Sequence, residues 1–280
     1  MNVYGVSGCV QRTRQCVQRL LRDTLYAERS TERSPVVAGQ KRDGKAAPDK
    51  SLWERLEQPA APRASLTLER IGAVAVEVAD AEGFAAVTMR RLATELGVAP
   101  MAAYRHVSGK DDLWALMAER VAAEVVIPEE LTGWREVLRE FGLLTRESMR
   151  RHPWVGQLPT ATFVLTPGRL AIAERQLAAL DGLGLDEDTM MVAFRTVSAY
   201  AHGAASSEVA LREWTQAEGW SSGAEIRLGL APQMTYLMET GRYPTYRRHG
   251  LRATRKDDPT WAFETGLECV LDGIAARFGI

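Results

Sequence analysis

The chain has only three cysteines in 280 residues, Cys9, Cys16 and Cys269. An odd number without metal-ligand spacing excludes a disulfide framework and a zinc-ribbon arrangement. On a common helix, Cys9 and Cys16 would stand about 10.5 Å apart, beyond the span of a disulfide, so a reducing cytoplasm is the expected setting. Long apolar runs are missing as well. None reaches the ~18 residues of a membrane span, and the N-terminus lacks the apolar centre of a signal peptide, so no membrane partner is expected. There is no glycine-rich phosphate loop and no serine or cysteine with an evident base. The four histidines are so scattered that no two share a helix face. The expectation is no catalytic residue, no metal and no cofactor. An all-helical enzyme remains only as the remote alternative.

A surplus of charge of one sign is also lacking, since the chain sums to −1. The distribution is uneven. Residues 1–65 carry 12 basic and 7 acidic side chains (+5), residues 66–125 carry 6 and 9 (−3), and residues 126–280 carry 17 and 20 (−3). Any attraction for nucleic acid must therefore come from local placement of Arg90, Arg91, Arg105 and Lys110, plus helix N-termini. The apolar fraction of 46% and charged fraction of 25% are those of an ordinary soluble protein. The length allows one large domain or two modest ones.

What is present is organised around residues 88–107, TMRRLATELGVAPMAAYRHV. Thr88 can cap a helix start. Leu92 and Leu96 are four apart on one face, and Gly97 falls where a left-handed residue ends the helix. Pro100 is tolerated in the first turn of a second helix, which Ala103 and Val107 hold to the first. Met101, Tyr104, Arg105 and His106 then point outward. Two short helices joined by a tight turn are either an ordinary helical hairpin or a helix-turn-helix reader of DNA.

The flanks favour the reader. Residues from about Leu66 to Val125, with LTLERIGAVAVEVADAEGFAAVTMRRLATELGV followed by APMAAYRHVSGKDDL, resemble the DNA-binding domain of the TetR family of bacterial repressors. Tyr104, His106, Val107, Lys110 and Leu113 fall on the family form Y-x-H-V/F-x-x-K-x-x-L. The resemblance implies a dimeric, all-helical transcription regulator with a divergent C-terminal ligand-sensing domain. It also implies that Pro100, Met101, Ala102 and Arg105 face the major groove. Of these only Arg105 can make a bidentate contact to guanine. Thr88, Tyr104, His106 and Lys110 are suited to phosphates. Met89 and Arg90, at the start of the preceding helix, complete the expected DNA-binding set.

The fold class expected is all-α: an N-terminal three-helix helix-turn-helix domain over residues 66–125, then a larger helical ligand-binding and dimerisation domain over 126–280. Residues 1–65 read as a flexible extension with one short helical turn around Leu52, Trp53 and Leu56. It is either a basic arm on DNA or a segment without a role, and its spread charges favour the second. The first helix of the DNA-binding domain is expected over Leu68 to Glu82, capped by Thr67 and ended by Gly83. Ser108 to Asp111 fits a capping box opening the next helix. Further helices are expected over Thr132 to Arg151, Trp154 to Thr166, Pro167 to Leu180, Asp186 or Asp188 to Glu218, 222–240 and Pro259 to Phe278, with 241–258 as a charged loop.

A sensor domain should bind something apolar. Met149, Trp154, Phe163, Phe194, Tyr200, Met234 and Met238 are large or adaptable side chains from different helices. His202, Arg195 and Gln157 could fix a polar group, although each of these residues could equally be core. Small residues along Val197 to Leu211, with an accessible apolar terminal helix (Phe263, Leu267, Val270, Leu271, Ile274), resemble the family's four-helix dimer interface. A homodimer implies a near-palindromic operator of double-stranded DNA. The function expected is a ligand-responsive regulator, a repressor released from its operator by a small molecule. An activator and a ligand-independent DNA-binding dimer remain the alternatives.

Overall fold

Short polar residues set where the helices begin. Thr67, Thr88, Thr166, Asp186 and Ser222 each precede a helix and accept a hydrogen bond from the backbone amide three residues on, at 2.7 to 3.3 Å. Each fills one of the donors that a first helical turn leaves open. The computed structural model describes residues 51–57, 66–159 and 166–280, and over those residues its regular structure is helical throughout.

Among the described residues, five helices build the N-terminal part: α1 (Leu52–Leu56), α2 (Leu68–Glu82), α3 (Met89–Leu96), α4 (Pro100–Ala103) and α5 (Lys110–Ala122). Ile71, Leu92, Val107 and Met117 are completely buried in their common core, each contributing about 1.5–3 kcal/mol. Gly97 takes the left-handed conformation, φ +67°, that lets α3 stop and α4 cross it.

Six further helices follow: α6 (Trp134–Arg151), α7 (Pro167–Leu180), α8 (Glu187–Ala217), α9 (Gly223–Glu239), α10 (Pro244–Arg252) and α11 (Pro259–Phe278). A second core joins α6, α7, α8 and α11 through Leu138, Phe141, Leu180, Val197, Leu267 and Leu271. Arg146 is buried among three of these helices. It donates twice to Glu208, at 2.7 and 3.1 Å, and once to Thr260, with its guanidinium 5.1 Å from the Phe263 ring centroid. At its N-terminal end α6 is tied to α11, where Arg135 pairs with Glu268 and Asp272, both at 2.6 Å.

The C-terminal end of α6 meets the first core instead. A 3-10 turn over Pro153–Gln157 carries Trp154 onto Phe84, stacked at 6.2 Å, and the indole N–H donates to Asp80 on α2 at 2.6 Å. Buried His152 sits beside it, with Nδ1 2.8 Å from Asp80 and Nε2 3.1 Å from Glu124. Each ring nitrogen thus faces a carboxylate, one from α2 and one from the residues that follow α5.

Four expectations need correction. Asp112, not Asp111, accepts the Ser108 amide, at 2.9 Å, because Gly109 rather than Ser108 stands at the helix cap. The helix expected from Trp154 to Thr166 starts instead with a 3-10 turn over Pro153–Gln157, and residues 160–165 of that expectation lie outside the described residues. Residues 241–258 contain a helix, α10, opened by Pro244 in the position where its missing amide costs nothing. The apolar stripe expected to be accessible on the terminal helix turns inward, since Phe263, Leu267, Leu271 and Ile274 are buried in the second core and Val270 is half-buried against it. Residues 1–50 of the expected flexible extension, with Cys9 and Cys16, and Phe163 lie outside the described residues.

Candidate nucleic-acid interface

The outward face of the helix-turn-helix follows from which residues the core takes. Ala103 and Val107 are buried, so the intervening and preceding positions of α4 and its trailing turn are left outside. Pro100, Met101, Tyr104 and Arg105 are exposed, with Met101 at 68%, and Ala102 and His106 are half-buried. An exposed methionine of that degree on a four-residue helix has no packing role in the protomer.

Around this face stand the groups that could meet phosphates. Thr88, exposed at the cap of α3, uses its hydroxyl to accept the Arg91 amide at 3.2 Å. Arg90 is exposed beside it. Lys110 is exposed at the first position of α5, where open backbone amides add to its charge. Met89 is a correction. Its side chain is buried against the core at the start of α3, so it cannot reach a groove and serves packing.

Arg91 is the cation that drops out of this face. It donates to Glu82, with Nη2 at 2.6 Å, and also to Glu95. Hydrogen bonds to those two carboxylates raise its pKa well above the ordinary value, and the same contact lowers that of Glu82. It ties α3 back to α2, so Arg90 and Arg105 are the arginines left facing outward. The first turn of α5 holds two acids, exposed Asp111 and half-buried Asp112. Asp112 accepts the Ser108 amide and also the Arg55 guanidinium, at 3.3 Å.

The residues expected around a small molecule are distributed differently. Trp154 belongs to the core shared with α2, its indole N–H already taken by Asp80, so it is a joint between the two parts and not a pocket wall. Met149 is buried. Gln157 and Arg195 are exposed, Met234 is 38% exposed, and His202, Met238 and Phe194 are half-buried. Tyr200 donates its hydroxyl to the Phe263 carbonyl at 2.7 Å. Burial pushes the His202 pKa down against a backbone bond to Ser198, and the charge of Arg169 adds to the lowering. Burial alone brings Arg169 down to about 10.

Sequence reasoning missed several groups here. Thr145 on α6, Gln176 on α7 and Ser198 on α8 each hold a buried side-chain oxygen with no hydrogen-bond partner. Such atoms are uncommon in protein interiors and call for a cause. Their three helices pack on one another. No spacing in the sequence distinguishes these oxygens from those of other buried polar residues. Arg55 was also missed, since nothing in residues 51–57 signals a partner fifty residues away.

No helix among the described residues is long and apolar enough to cross a membrane. Comparison with known proteins gives two family matches. Residues 71–117 match the bacterial regulatory proteins of the tetR family, and residues 127–278 match the tetracyclin repressor-like C-terminal domain. The HTH-type transcriptional repressor DrrR1 of Streptomyces coeruleorubidus is 33% identical over 226 residues, 80% of this chain and 83% of that protein. An HTH-type transcriptional regulator of Saccharopolyspora erythraea is 30% identical over 234 residues, 82% of this chain and 93% of its own. Among solved structures, the Streptomyces coelicolor protein ActR in complex with actinorhodin superposes with a TM-score of 0.61 at 26% identity. That match covers 79% of this chain and all of ActR.

Proposed function

This chain belongs to the TetR family of bacterial regulatory proteins, and from that premise we propose that it is a dimeric repressor which a small molecule releases from a near-palindromic operator. The reading rests most on one observation. A helix of four residues, braced by buried Ala103 and Val107, exposes Met101, Tyr104 and Arg105 with Lys110 at the edge.

In this reading Arg105 reads a guanine edge, and Met101 and Ala102 offer apolar contact to a thymine methyl. Thr88, Arg90, Tyr104, His106 and Lys110 take phosphates and set the register. The sensor lies among α6, α7 and α8. Its ligand carries hydrogen-bonding groups that meet the orphaned oxygens of Thr145, Gln176 and Ser198, and an apolar body that Met149 adapts to, while Met234 and Met238 stand on α9, outside that layer. That ActR is seen in complex with actinorhodin supports a small-molecule effector of this general kind. Ligand binding then shifts the population toward a conformation whose two readers no longer match the groove spacing.

Selection of bound sites from random duplex DNA with the full chain tests the reading. The expected outcome is a two-fold symmetric motif. Arg105→Ala should relax preference at one base position per half-site at a cost of about 1–3 kcal/mol. Lys110→Ala should weaken all sequences alike and lower the salt slope by about one per reader. Selection without enrichment over an Arg105→Ala, Lys110→Ala control would return the helix-turn-helix to the role of scaffold.

A further inference from the structure

The extension before α2 was expected to be flexible apart from one short helical turn around Leu52, Trp53 and Leu56, and that turn is docked. Ser51 and Glu54 form a reciprocal capping box, at 3.2 and 2.7 Å, that holds the five residues of α1 helical. Leu52 and Leu56 pack on the core of the helix-turn-helix. Their placement turns Arg55 toward two targets on separate elements. Nη1 donates to the His106 carbonyl at 2.7 Å, and Nη2 donates to Asp112 Oδ2 at 3.3 Å. The guanidinium Nε is buried without a partner, so the side chain is fixed by these two bonds.

Both targets matter for a reader. The His106 carbonyl ends the turn that trails α4, where carbonyls lose their helical partners, and an arginine there serves as a C-terminal cap. Asp112 lies in the first turn of α5, two residues from Lys110. An uncompensated carboxylate at that place would repel the phosphate that Lys110 approaches. The planar fork of an arginine can serve both targets at once, whereas a lysine presents a single point charge.

We propose that Arg55 is a positioning residue for DNA recognition: from outside the helix-turn-helix it holds the end of the reader helix to the start of α5 and masks Asp112 from the DNA backbone. This rests on the reader assignment made above. It gives the residues preceding α2 a role in affinity that does not require them to touch DNA.

The test is operator affinity across a range of salt for the full chain carrying Arg55→Gln, Asp112→Asn, or both, with Lys110→Ala and Arg105→Ala as controls and thermal melting of each variant. Arg55→Gln is expected to weaken binding by roughly tenfold with an unchanged salt slope. Asp112→Asn should restore part of that loss, because an amide still accepts the Ser108 N–H but no longer repels phosphate. Arg55→Lys, which retains the charge without the fork, should lose roughly threefold and stands in if Arg55→Gln melts far below the parent.

Additive effects of Arg55→Gln and Asp112→Asn, with a salt slope lowered by about one per protomer, would make Arg55 a direct phosphate contact and overturn the proposal. Parental affinity in both Arg55 variants, while Lys110→Ala still weakens binding, would overturn it and leave the reader assignment standing. Parental affinity in the two controls as well would remove the reader assignment and this proposal with it.

Discussion

Glu124 shows how a single residue joins the two parts of the protomer. It follows α5, a quarter exposed, and receives His152 at 3.1 Å and Arg151 at 2.8 Å. Burial alone would raise its pKa, but the bonds from His152 and Arg151 outweigh that and leave it below the ordinary value of 4.5. A carboxylate held down in the folded state adds stability that is complete above its unfolded value and disappears as pH falls through the folded one. Glu124→Gln should therefore melt below the parent at neutral pH, by about 1 kcal/mol for a pair this exposed. The gap should close as the pH drops under 4.5. A gap that is constant across a pH series of melting curves would show that shape, and not charge, is what Glu124 supplies.

At the scale of the element, the crossing of α8 and α11 has no room to spare at one point. Gly266 is overlain by Tyr200, and a methyl group built there would collide with the tyrosine hydroxyl. That hydroxyl is itself bonded to the Phe263 carbonyl, so it cannot swing aside without losing its partner. Gly266→Ala should cost about 1–3 kcal/mol in denaturant unfolding, although alanine is otherwise the better helix former. Gly266→Ala combined with Tyr200→Phe should recover much of the loss. If the double variant is no better than the single one, the crossing is not governed by this contact.

Much of the element order could be read from the chain because its signals are local. Thr67, Thr88, Asp186 and Pro259 each mark a helix start through a bond or a missing amide within the first turn, and Gly97 marks a stop by its own torsion. What could not be read depends on partners far apart in sequence. Arg91 looks like a DNA contact until Glu82 is folded beside it. Met89 stands at the start of α3 between exposed Thr88 and Arg90, and only the tertiary core shows that its side chain turns inward. Phe263 and Leu267 form an apolar stripe that could serve a dimer or a core with equal ease. The sequence pattern alone cannot say which.

For the whole molecule, the inward turn of that stripe changes what is left for a second copy. The outer face of α8 carries Ala199, Gly203 and Ala210, and that of α11 carries Cys269, Gly273 and Ala276, all exposed. Gly203 and Gly273 have open space where a side chain would stand. Small exposed residues at helical spacing permit close approach of another helix pair. Gly203→Arg should therefore leave the protomer folded, with helix propensity improved by about 0.8 kcal/mol, while sedimentation shifts toward the monomer. Operator binding should fall steeply, because two linked readers gain affinity that one does not have. A variant that stays dimeric would place the two-fold axis on another face.

The ties at the two ends of α6 set a mechanical scale. Arg135 fastens its beginning to α11, and His152, just past its end, is fastened to Asp80 on the first helix of the DNA-reading part. Eighteen residues make a rod of about 27 Å. Rotating such a rod by about 7° around its fastened beginning sweeps the far end through about 3.3 Å, nearly the 3.4 Å rise between successive bases of a strand. A rotation of that size at the fastened beginning would displace an attached reader by about one rung along its half-site.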